Sequence, residues 1–188
     1  NTVVGYGAGS AITTGGSNTI IGYIAGDAIQ GGTKNTIIGS EAASAMTSGG
    51  SNVVIGVEAV GSGVMTASNN VYIGTNAAQV NTSGDGNVAI GKDAFISNTT
   101  GASNIAIGLD SLDGCDAETN NIAIGQDALG GSIAGGEFNI GIGNFTLDAL
   151  TSGDSNTAVG YRTMTNITSG ANNTSLGDDA MNDIDTGS

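Results

Sequence analysis

Asp93, Asp110 and Asp127 stand 17 residues apart, and Glu41, Glu58 and Asn76 occupy the same register upstream of them. If the chain stacks one unit of that length on the next, these side chains form a column with neighbours about 5 Å apart. Two chemistries use carboxylates at such a separation. Calcium accepts carboxylates, amides and backbone carbonyls with loose geometry, so a weak structural calcium site along Asp93, Asp110 and Asp127 is one expectation. A retaining glycosidase also sets its two carboxyl groups roughly 5 Å apart. That spacing follows from stacking alone, however, and an even column has no cleft to raise one carboxyl's pKa or exclude water. The plainer reading is a solvated edge whose charge keeps the molecule soluble and discourages lateral aggregation.

Other chemistry is sparse. There is no histidine, and the single cysteine, Cys115, falls where other units carry Ile12, Met46 or Leu150. It reads as a small buried hydrophobe, and neither a nucleophilic triad nor an intrachain disulfide can be assembled. A net charge of −14 disfavours nucleic acid and anionic membranes as partners. No apolar run approaches the roughly 20 residues that span a bilayer. Among outward positions, Tyr6, Tyr23, Tyr161 and Arg162 are the candidates for surface contacts. The sequons at Asn98 and Asn166 are expected by chance in a chain this rich in Asn and Thr.

The element that must position these residues is a repeat. The phrase Asn, β-branched, variable, aliphatic, Gly begins at residues 1, 18, 35, 52, 70, 87, 104, 121, 139, 156 and 173, so eleven units, ten of 17 or 18 residues and a last of 16, cover 1–188 as one array. A period in this range signals a solenoid, and 34 glycines without proline or a G-x-y period exclude collagen. The expected fold is mainly β: a parallel β-solenoid or β-roll, each rung contributing one short strand and a turn. The segment between the two glycine corners reads as one helical turn, with a second strand as the alternative. The two 18-residue units are expected to bulge near Asn69 and Phe138.

Positions two and four are always β-branched or aliphatic, so these columns are expected to be buried, with Ile55, Ile73 and Ile90 among them. Position three then faces the other way. Its occupants Val3, Ile20, Ile37, Val54, Tyr72, Ala89, Ala106, Ala123 and Ala158 carry no charge, and a homotrimer would bury them at its axis. The repeated asparagine fits an amide ladder that fixes register.

These phrases, with their T-S-G turns, resemble the glycine-rich repeats of bacteriophage tail fibres. They are also similar to the head repeats of trimeric autotransporter adhesins. The resemblance covers the whole chain and implies a homotrimeric, non-catalytic structural or adhesive segment of a longer fibre, on a virion or a bacterial surface. It implies a host receptor or glycan as partner, engaged through regions outside this segment, and transfers no receptor-binding residue. The readings from other classes are a glycan depolymerase carried on a solenoid and a calcium-dependent or ice-binding solenoid. The nonapeptide of calcium rolls is missing.

Overall fold

The computed structural model describes residues 1–133 and 135–182. Eleven three-residue strands, β1 (Thr2–Val4), β2 (Thr19–Ile21), β3 (Thr36–Ile38), β4 (Val53–Ile55), β5 (Val71–Ile73), β6 (Val88–Ile90), β7 (Ile105–Ile107), β8 (Ile122–Ile124), β9 (Ile140–Ile142), β10 (Thr157–Val159) and β11 (Thr174–Leu176), form one parallel sheet in chain order. Every rung is in register with the next, as Ala106 with Ala123 shows, so the fold is a parallel β-solenoid. At about 4.8 Å per strand, eleven rungs make a rod on the order of 50 Å long.

The faces of the sheet are the reverse of the expected ones. Ile20, Ile37, Val54, Tyr72, Ala89, Ala106, Ala123 and Ala158 are fully buried inside the chain's own rungs, which leaves none of them for a trimer axis. Only Val3, on the terminal rung, is exposed. Positions two and four, including Ile55, Ile73 and Ile90, point outward and are partly exposed.

The reason lies across each rung. Position three packs against position nine: a methyl group added to Gly26 would lie 3.3 Å from the tip of Ile37 and 3.4 Å from that of Ile20. Large residues at three meet small ones at nine, as in Ile37 with Ala43 and Tyr72 with Ala78. Later the sizes exchange, as in Ala106 with Leu112 and Gly141 with Leu147. A closed interior at crystal-like density demands such reciprocity. The drift of position three from Ile to Ala and Gly therefore marks an interior and not an axis. Positions eight and twelve complete the core, with Cys115 buried among them.

No helix forms among the described residues. Positions seven and nine are both left-handed, as at Asp110 and Leu112 with φ of 52°, and an α-helix cannot alternate in hand. Their N–H groups instead bond to opposite neighbours. Asp110 donates to the Lys92 carbonyl of the preceding rung, and Leu112 donates to the Ala128 carbonyl of the following one. Stacking thus pairs backbone groups that a short turn would leave unmet.

The strand ladder passes unbroken through both 18-residue rungs. The extra residues are not where expected, because Asn69 and Phe138 hold the ordinary left-handed corner of position seventeen, with φ of 62° and 59°. The insertions fall earlier. In one rung the Gly61–Val64 stretch displaces the core residue to Met65, which bridges Met46 of the rung before. In the other, Ile133 takes the core place that counting assigns to Ser132.

Candidate functional site: the outward sheet face and the position-seven corner

The asparagine column holds the register of everything outside it. From Asn18 to Asn156 these side chains are buried. Asn104 is typical: its Nδ2 donates to the Glu118 carbonyl at 2.8 Å and to Asn87 Oδ1 at 3.3 Å, and its own Oδ1 accepts the Asn121 N–H at 2.9 Å. The asparagine is therefore an interior residue, and the neighbouring outward columns are fixed by it.

Those columns form a continuous outward strip along the rod. Position two is Thr, Val or Ile throughout, position four is Val, Ile or Leu, and no charged or amide side chain interrupts either. Three residues of strand across and eleven rungs along give a band of about 500 Å2 in projection. A band of that area matches the largest apolar patch of an ordinary monomer, which is often functional, and threonine supplies five of its eleven position-two residues.

At the corner after the position-five glycine, the acidic residues stack as spacing implies but form no cage. Asp93 is paired with Lys92 and accepts a 2.8 Å hydrogen bond from Asn76. The Lys92 bond, against a smaller upward push from burial, holds its carboxyl below the usual range. Asp110 is pushed the other way, by burial and then by the charges of Asp93 and Asp127. Among the described residues no group of three or more His, Cys, Asp or Glu side chains is arranged to hold a metal. Asp93, Asp110 and Asp127 thus lie along the rod without converging on one point.

A second acidic group lies along position ten. Gly130 separates Asp113 from Asp148, since a methyl group there would lie 3.5 Å from Asp113 Oδ1 and 3.1 Å from Asp148 Oδ1. One buried oxygen of Asp113, Oδ1, has no hydrogen-bond partner. Burial, and then the charges of Asp110 and Asp127, raise its pKa to about 6. Asp148 is raised by burial and by Asp127.

The folded chain therefore holds the Asp113 proton more tightly than the unfolded chain does. That contribution is complete below the ordinary value of 3.8 and is lost as pH rises through about 6. Asp113→Asn should match wild type near pH 4 and exceed it by about 1–2 kcal/mol near pH 7.5, after allowance for solvent screening. Paired denaturant melts at the two pH values check this.

Glu118 stands where most rungs have glycine. Burial pushes its carboxyl up, but N–H groups outweigh that and hold it below the usual range. Oε1 accepts from Gly135 at 2.8 Å, and Oε2 accepts from Asp116 and Ala117 at 3.0 and 3.1 Å. It serves as a turn brace. Burial, and then Glu118, raise the Cys115 thiol well above its ordinary range, which keeps it protonated.

No family model, curated protein or solved structure matches the chain.

The four surface candidates separate into two places. Tyr6 and Tyr23 stack on adjacent rungs, with centroids 5.7 Å apart. Tyr161 and Arg162 lie far along the rod, where they join Phe145, Asp148 and Thr165 around a groove. Phe145 and Asp148 were missed, although Phe145 shares the register of Arg162 and breaks the acidic column. Among the chain's sequons, Asn98 is buried with its amide bonded to the Gly101 carbonyl, so it cannot accept a glycan without unfolding. Asn166 is exposed, with its amide bonded to the Asn182 carbonyl.

Proposed function

We propose that this chain is a non-catalytic structural and adhesive rod that self-associates side by side through its outward sheet face, as a homotrimer. The observation that carries the reading is the uninterrupted Thr, Val and Ile band of positions two and four. A solenoid whose interior is already complete gains nothing for its own core by keeping those columns uncharged and β-branched or aliphatic. Three parallel copies closing about an axis would bury the band and leave the acidic corners outside. The repeat's resemblance to phage tail-fibre shafts makes such a shaft, which spaces or presents a host-binding tip, the preferred setting. A bacterial trimeric adhesin head is the alternative, and both settings place the chain on a virion or outside a cell.

Light scattering on the purified chain at micromolar concentration should give three times the chain mass. Ile107→Lys places a charge on the band without touching the interior. It should give the single-chain mass with an unchanged circular dichroism spectrum, because three unpaired ammonium groups cannot be buried together. A wild-type chain that is folded and monomeric would overturn the proposal.

A glycan depolymerase is the second reading, and Asp113 is the observation on its side. A carboxyl with a pKa of about 6 has the proton affinity of a general acid. Against it, the groove able to hold a sugar is lined by Asp148 and not by Asp113.

A further inference from the structure

Rungs nine and ten interrupt the acidic corner. Phe145 and Arg162 stand at the position that Asp93, Asp110 and Asp127 occupy on earlier rungs, and Tyr161 precedes Arg162. With Asp148 and Thr165 they line an open groove of about 320 Å3, at the lower end of the volumes that take small ligands. Phe145 and Tyr161 meet edge to face, centroids 6.0 Å apart and planes at 85°, in an arrangement that aromatic pairs favour. This fixes the Tyr161 ring while the residue stays 49% exposed. Both Phe145 and Arg162 are held left-handed, with φ of 59° and 51°. Asp and Asn tolerate that conformation far better than bulky residues do. The fold imposes that conformation on the whole position-seven column, Ile24 included, and Phe145 and Arg162 adopt it with the rest.

We propose that this groove binds a neutral sugar ring. A hexose has one face of C–H groups, which matches the exposed Tyr161 ring, and a rim of hydroxyls that both donate and accept. The groove supplies that complement: the Arg162 guanidinium donates, the Asp148 carboxylate accepts, and the Thr165 hydroxyl, whose own proton is held by the Arg162 carbonyl and Asn182 Oδ1, accepts as well. Asp179 Oδ1 lies 3.5 Å from Arg162 Nε and orients the guanidinium. Burial and then the nearby Asp127 charge raise the Asp148 pKa, and a sugar hydroxyl donated to its carboxylate would offset that cost. The same two carboxylates, on a chain of net charge −14, repel acidic sugars and phosphates. Its lining residues occupy positions six, seven and ten, beyond the corner glycine that ends each strand.

The test is a titration of the full chain with methyl α-D-glucopyranoside, methyl β-D-galactopyranoside and N-acetylneuraminic acid, followed through the Tyr161 and Phe145 ring resonances. At least one neutral glycoside should give saturable shifts at millimolar concentration. Tyr161→Ala should weaken it about tenfold, Tyr161→Phe should retain most of the affinity, and Tyr6→Ala should leave it unchanged. No saturable shift with either neutral glycoside, a stronger response to N-acetylneuraminic acid, or an equal loss in Tyr6→Ala would each overturn the proposal. Repeating the titration on Ile107→Lys separates failure of the groove from failure of self-association, since sugar binding should survive in that variant.

Discussion

Gly91→Ala is expected to open the solenoid at its middle and to lower stability by at least about 4 kcal/mol. Two independent penalties meet at this residue. Its φ is 145°, in a region that residues with a side chain rarely adopt. An added Cβ would also lie 2.6 Å from the Gly108 carbonyl carbon on the next rung, and closer still to its oxygen. That neighbour is backbone and cannot rotate aside, so the rungs must part. The same contact recurs along the position-five column from Gly5 to Gly160, which explains why this glycine never varies among the rungs. Gly16 is the control, because a methyl group there meets nothing within 4 Å. Gly16→Ala should stay within about 0.5 kcal/mol of wild type. A rod can open locally without unfolding, so amide exchange should show the loss centred on rungs six and seven as well as in the thermal melt.

Asn104→Ala should have the second largest effect, a loss of about 3–5 kcal/mol. The side chain itself is small, but its removal strands the Asn121 N–H and the Glu118 carbonyl, both bonded to it at 2.8–2.9 Å in a dry interior. Each stranded group costs about 1–3 kcal/mol. Asn104→Asp should be no better, since a carboxylate cannot donate to the Glu118 carbonyl or to Asn87 Oδ1. Chemical melts of the two variants, with amide exchange at Asn121, check this. A change below about 1 kcal/mol in both would mean the ladder sets register without stabilising it.

The repeat, the parallel stack and the amide column were legible because each rests on a strictly repeated residue type. The sidedness of the sheet was not, and the fault lies in one inference. Constancy of residue type at columns two and four suggests an interior, yet here it marks the outward face. In a solenoid the interior can vary freely as long as opposite walls compensate, and Tyr72 with Ala78 or Ala106 with Leu112 do so. That reciprocity was present in the sequence and would have placed position three correctly. The left-handed residues at position nine were hidden for a different reason. Leu112, Leu129 and Met164 are poor choices for φ near 52–57° on local grounds, and only burial across the rung holds them there. The groove was half legible: Tyr161 and Arg162 stood out as exposed types. Phe145 and Asp148 joined them only when neighbouring rungs were stacked.

Thiol reactivity at two adjacent residues tests the central claim, a closed interior with an apolar outward band, most directly. Cys115 is buried and gives a silent background for single cysteines introduced by Ala106→Cys and Ile107→Cys. In the native protein the thiol at 106 should react with a soluble disulfide reagent only at the rate of unfolding. The thiol at 107 should react readily in dilute solution and become protected as protein concentration rises. A thiol at 106 that reacts freely in the folded chain, beside one at 107 that stays shielded even in the monomer, would contradict the account.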